Sequence, residues 1–65
     1  MSRLSSREEA YEALQGIYRM MHKVGIPLST ITFGMMKIMK EWNISKTELA
    51  SIRRRIIREL SYIIV

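Results

Sequence analysis

The sequence predicts an all-α protein built from three helices. Two segments begin with Ser followed three positions later by Glu, which is the pattern of an N-terminal capping box. Apolar residues then recur every three or four positions, the period of a helix with one buried face. The first two segments end at Gly25 and Asn43, residue types that tolerate the left-handed conformation found after a helix.

The first helix is predicted over residues 6–24. The Ser6 hydroxyl would accept the backbone N–H of Glu9, and the same box shifted back by one residue fits equally well. Gly25 supplies a left-handed residue after the helix, and Pro27 forbids its continuation. The buried face is predicted from the apolar stripe of Ala10, Leu14, Ile17, Met21 and Val24, widened by Tyr11 and Tyr18.

The second helix is predicted over residues 30–42. Its start is the weakest signal, because Ile31, Thr32 and Phe33 favour strands and Gly34 weakens a helix by about 1 kcal/mol relative to Ala. A lone four-residue strand would have no partner, so a helix is the preferred interpretation. Its apolar side is predicted to contain Leu28, Ile31, Met35, Ile38, Met39 and Trp42.

The third helix is predicted over residues 46–63, after a capping box formed by Ser45 and Glu48. Ile44 and Leu49 flank that box as a hydrophobic staple. At 100° per residue its apolar face contains Leu49, Ile52, Ile56, Leu60 and Ile63. The opposite face is basic and carries Thr47, Ser51, Arg54, Arg55 and Arg58.

The size and apolar content of the chain predict a homodimer. A chain of 65 residues has only marginal stability on its own, and the absence of cysteine removes disulfides as a source of stability. The hydrophobic fraction of 48% is more than one small bundle can bury, so the three-helix bundle is expected to pair with a second copy. The predicted interface consists of Phe33, Met36, Tyr62, Ile63, Ile64 and Val65.

The sequence contains few residues that could catalyse a reaction or bind a metal ion. The chain has no Cys and no Asp, and His22 is its one histidine. We therefore expect no enzyme activity, no cofactor and no metal site. The polar first dozen residues and a longest uncharged run of 13 residues predict a cytoplasmic protein without a signal peptide or membrane span. The sparse use of Asn, Gln and Cys suggests a thermophilic source, which the six Met argue against.

The charge balance points to an acidic partner. The chain carries 11 Lys and Arg against 6 acidic residues, a net charge of +5 and a pI near 10.1. Five of the basic residues, against two Glu, fall in residues 45–65. This basic face could bind phosphates, or it could be a solvated face in which Arg55 pairs with Glu59 one helical turn away.

Residues 35–54 resemble a helix-turn-helix unit. Apolar residues occupy the positions that lock two helices across a tight turn, with Asn43 where Gly is usual: Ile38, Trp42, Ile44, Leu49 and Ile52. The resemblance covers about 20 of the 65 residues and departs from the pattern at Met39, where a small residue is usual. It implies that Ser45, Lys46, Thr47 and Ser51 face base edges and that Arg54, Arg55 and Arg58 hold phosphates.

The predicted function is nucleic-acid binding, with duplex DNA favoured, by a small transcription regulator or chromatin-like protein. Two copies would bind half-sites about one helical turn apart. Two alternatives remain open at this point. One is a homodimeric module that docks onto another protein through its Met-rich surface, and the other is a cationic bundle that lies on anionic membranes.

Overall fold

A computed structural model describes residues 6–64, and the side chains of residues 6–62. It contains three helices: α1 (Arg7–Val24), α2 (Phe33–Trp42) and α3 (Lys46–Ile64). Within the described residues there is no strand. The all-α prediction is therefore confirmed, with helices in the predicted order.

Helix α1 begins and ends as predicted. The Ser6 hydroxyl accepts the Glu9 backbone N–H at 3.2 Å, so Ser6 is the capping residue. Gly25 has a φ of 87°, which a residue with a side chain rarely adopts. Its N–H donates to the His22 carbonyl, and the N–H of Ile26 donates to the Met21 carbonyl at 2.8 Å. These bonds satisfy carbonyls that the last turn of a helix otherwise leaves without donors.

Helix α2 begins at Phe33, so the predicted start at residue 30 is wrong. The Thr30 N–H donates to the Pro27 carbonyl at 3.0 Å in a separate turn. Thr32 is the capping residue, and its hydroxyl accepts the Met35 N–H at 3.2 Å. Thr32 is extended, as an N-cap residue is, and a β-branched residue is less favourable inside a helix. The helix therefore begins after Thr32 and not at residue 30.

A turn of three residues, 43–45, joins α2 to α3. Asn43 has a φ of 54°, and the N–H of Ile44 donates to the Met39 carbonyl at 2.9 Å. The capping box of α3 is complete, because Glu48 N–H donates to the Ser45 hydroxyl at 3.1 Å and Ser45 N–H donates to the Glu48 carboxylate at 2.9 Å. The start predicted for α3 is confirmed.

Helix α1 packs against both other helices. Arg7 near its start bonds Glu48 near the start of α3, and Arg19 near its end bonds Glu59 near the end of α3. Helices α1 and α3 therefore run in the same direction. Helix α2 runs the opposite way, because Arg7 donates to the carbonyl of Trp42 at its end.

The bundle therefore has two distinct ends. The turn end contains residues 43–45 with the starts of α1 and α3, and the loop end contains residues 25–32 with the ends of α1 and α3. At the loop end α2 approaches α1 closely, since a Cβ placed on Gly34 would lie 3.9 Å from the Ile17 Cδ1 atom.

The core lies between the three helices and is rotated on α1 relative to the predicted stripe. Tyr18, predicted at the edge of the stripe, is 1% exposed, whereas Val24 is 61% exposed. Ile31, predicted on the apolar side of the second helix, lies before α2 and is 40% exposed. The rotation follows from α3, which packs on the flank of α1 that carries Arg7, Tyr11 and Arg19. The buried residues are Ala10, Leu14, Tyr18, Met21, Met35, Ile44, Leu49, Ile52 and Ile56.

Candidate nucleic-acid interface

All seven residues predicted to contact nucleic acid are exposed on α3 or in the turn before it. Four of them line one open groove of about 520 Å³, together with three residues that the prediction did not include. We call it the arginine groove: Ser51, Arg54, Arg55 and Arg58, with Tyr11, Glu48 and Ile52. The remaining three, Ser45, Lys46 and Thr47, lie at the turn end and do not line it.

Glu48 brings a carboxylate into the arginine groove, but donors already occupy both of its oxygens. Oε1 accepts the backbone N–H of Ser45, and Oε2 accepts both the Tyr11 hydroxyl and the Arg7 Nη2 atom, the latter at 2.7 Å. The Ser45 N–H, then the Tyr11 hydroxyl and Arg7, lower the pKa of Glu48 to about 2. The carboxylate is thus held by the start of α3 and by α1.

Glu59, the second acidic residue of α3, also bonds to α1. Its two carboxylate oxygens accept Arg19 Nε at 2.7 Å and Arg19 Nη2 at 2.9 Å, a two-point geometry that suits guanidinium and carboxylate groups. This contact with Arg19 lowers the pKa of Glu59. The pairing of Arg55 with Glu59 considered from the sequence is wrong, because Glu59 pairs across helices.

The basic side chains of α3 are left without carboxylate partners in the described part of the chain. Arg7 and Arg19 of α1 hold both Glu residues of α3. No ion pair within residues 6–62 includes the five basic residues of α3, which are Lys46, Arg53, Arg54, Arg55 and Arg58. Arg53 is half-buried outside the arginine groove, and its charge opposes the rise in the Tyr18 pKa that burial causes.

The predicted oligomer interface falls only partly within the described side chains. Phe33 is 78% exposed, Tyr62 is 76% exposed, and Met36 is also exposed. The other predicted positions, the side chains of residues 63–65, lie outside the described part. The three exposed residues belong to the start of α2 and the end of α3, so all are near the loop end.

Sequence reasoning missed a second groove, which lies along α1. It is about 380 Å³ and is lined by apolar residues and one glycine. We call it the α1 groove: Ala13, Gly16, Ile17, Met20, Met21, Val24 and Ile26. Its sequence signal is a second apolar stripe beside the core stripe, in which Met20 and Val24 repeat one turn apart.

Comparison of the chain with protein-family models, curated protein sequences and solved structures gives no match. None of the helices in residues 6–64 combines the length and the apolar character that crossing a membrane requires. Over the same residues, no three side chains of the types His, Asp or Glu come together in a way that could hold a metal ion.

Proposed function

We propose that this protein binds duplex nucleic acid, DNA in the first place, through helix α3. The observation that carries the proposal is the arginine groove, in which Arg54, Arg55 and Arg58 are exposed while Glu48 and Glu59 are bonded to α1. Guanidinium groups bind phosphate through two parallel hydrogen bonds, and a row of them on one helix matches a row of backbone phosphates.

The start of α3 supplies the residues for base contacts. Ser45, the last residue of the turn, and Lys46 and Thr47, the first two of α3, are exposed. Their side chains are small or flexible, so the first turn of α3 could enter a major groove, which is wide enough for a helix. In this arrangement Ser51 reaches base edges from the next turn, and the arginines fix the register on the phosphates.

The proposed biological role is that of a cytoplasmic transcription regulator or a chromatin-like protein that acts as a homodimer. A dimer would present two copies of α3 to half-sites about one helical turn apart. The support for pairing is the number of large apolar side chains that stay exposed in the single chain, because exposed apolar patches mark interaction surfaces in small proteins.

Replacing Arg54 and Arg58 by Ala tests the proposal. Both side chains are exposed and form no ion pair in the described part of the chain, so the melting temperature should change by only a few degrees. Affinity for a random DNA duplex should fall more than about tenfold, because each lost phosphate contact returns a counterion to the DNA. Fluorescence anisotropy with a labelled duplex measures the change.

The matched control is Lys37→Ala with Lys40→Ala, which removes the same charge from exposed positions of α2. Its affinity should stay within about threefold of the wild type if placement on α3 matters more than net charge. Equal losses in the two double variants, or no loss in either, would refute docking through α3.

A further inference from the structure

The α1 groove is an uncovered apolar surface in a protein with few buried side chains. Met20 and Val24 are each 61% exposed, although both are side chains that proteins usually bury. None of the seven residues lining the groove is charged. Exposing such a surface to water is unfavourable, and the free energy falls when another apolar surface covers it.

Gly16, at one edge of the groove, makes no close contact inside the described chain. A Cβ added to it would meet no atom within 4 Å, and its φ is that of an ordinary helical residue. Glycine inside a helix destabilises it relative to Ala, because its backbone loses more conformational freedom on folding. The missing side chain does, however, let the backbone of another helix come close from outside.

The charges along the groove are opposite at its two ends. At 100° per residue, Glu12, Gly16 and Lys23 fall within an arc of about 40° on α1. Glu12 therefore lies along one edge of the groove towards the turn end, and Lys23 lies along the same edge towards the loop end. A helix with this charge order is complementary to a copy of itself that runs in the opposite direction.

We propose that the α1 groove is the interface of a two-fold homodimer in which two α1 helices pack antiparallel. In this dimer Gly16 lies near the two-fold axis, Met20 and Val24 are covered, and Glu12 lies beside the partner's Lys23. The same patch serves both copies, as a closed two-fold interface requires. Antiparallel packing also brings together helix dipoles of opposite sense.

This interface keeps the positive surfaces of the two copies apart. The arginine groove lies on the flank of α1 that faces α3, and it shares no lining residue with the α1 groove. Two chains of net charge +5 can therefore associate while their arginines stay exposed to solvent. The inference does not depend on nucleic-acid binding, and the two can fail separately.

Sedimentation equilibrium of the full chain tests the interface. The wild type should be a dimer, and Met20→Lys should raise the dimer dissociation constant by about a hundredfold or more, because it places an unpaired charge in the interface. Its helical circular dichroism should be unchanged, since Met20 is exposed in the single chain. The control is Met36→Lys, at an exposed Met that belongs to the interface predicted from the sequence but lies outside the groove. It should leave the dissociation constant within about threefold.

Reversing the charges tests the antiparallel direction. Glu12→Lys and Lys23→Glu should each weaken the dimer, and the double variant should recover the wild-type dissociation constant, because every ion pair is restored with its charges exchanged. A wild type that is monomeric at about 1 mM would overturn the inference. The inference would also be overturned if Met36→Lys disrupted the dimer and Met20→Lys did not, or if the measured mass exceeded two copies. A double variant whose dimer dissociation constant is no lower than those of the single variants would overturn it too.

Discussion

Glu48 joins three parts of the chain through one carboxylate. The sequence predicts its bond with Ser45, because both residues belong to a local capping box. Its bonds with Arg7 and Tyr11 come from α1 and could not be predicted, since spacing along the chain says nothing about which helix faces which. The three donors act on the same group and together stabilise its ionised form.

Replacing Glu48 should reduce the acid sensitivity of the fold. The pKa of Glu48 is about 2 in the folded protein, against an ordinary value of 4.5. A lowered folded pKa means that the ionised group stabilises the protein above pH 4.5 and that this stability is lost as the pH falls from about 4.5 towards 2. We expect Glu48→Gln to melt at a lower temperature than the wild type at pH 7. Its melting temperature should fall less than that of the wild type on acidification.

Melting temperatures measured by circular dichroism from pH 7 to pH 2 check this expectation. Some acid sensitivity should remain, because the pKa of Glu59 is lowered too. Glu41→Gln, at an exposed position of α2 that forms no ion pair in the described part of the chain, is the matched control and should follow the wild-type curve. Parallel curves for Glu48→Gln and the wild type would contradict the role given to Glu48.

At the scale of helices, the sequence predicts ends well where the signals are local. Capping by Ser6 and Ser45 and termination at Gly25 and Asn43 depend on residues within one turn of each end, and the structure confirms all four. The predicted start of α2 is wrong because several residues before it can cap a helix. Thr32 is the cap, and its N–H donates to the sulfur of Met35 at 3.3 Å. Capping preferences of residue types do not predict this hydrogen bond.

Ser45→Ala should destabilise the protein through α3 alone. The exposed Ser45 hydroxyl accepts the Glu48 N–H, and replacing such a cap by Ala costs about 1 kcal/mol. Urea denaturation at a fixed protein concentration measures the free energy of unfolding. Thr47→Ala, two residues on and also exposed, is the control and should cost less than about 0.5 kcal/mol. An equal loss in both variants would show that the cap contributes nothing of its own.

At the scale of the whole molecule, the contacts of α1 determine which charges on α3 stay unpaired. On one flank its Arg7 and Arg19 hold the carboxylates of α3, which leaves the basic residues of α3 in excess. Another part of α1 carries the uncovered α1 groove. The sequence shows that α3 has five basic residues against two Glu, but not that both Glu residues bond to another helix.

The candidate sites differ in how far the sequence predicts them. The polar face of α3 follows from helical period alone, and all seven predicted residues on and before it are exposed. The contribution of Tyr11 to the arginine groove, and the α1 groove as a whole, depend on which side of α1 the other helices cover. Val24 shows the difficulty, because its spacing fits the core stripe although it is 61% exposed.

The central claim, that α3 binds the phosphates of a duplex, is tested most directly by affinity for random duplex DNA across a salt series. For wild type, with Arg54, Arg55 and Arg58 on phosphates, log affinity should fall against log salt concentration with a slope of roughly −3. For Arg54→Ala with Arg58→Ala the slope should be shallower by about 2, because two contacts are lost. No binding at low salt, or the same slope for both proteins, would contradict the claim.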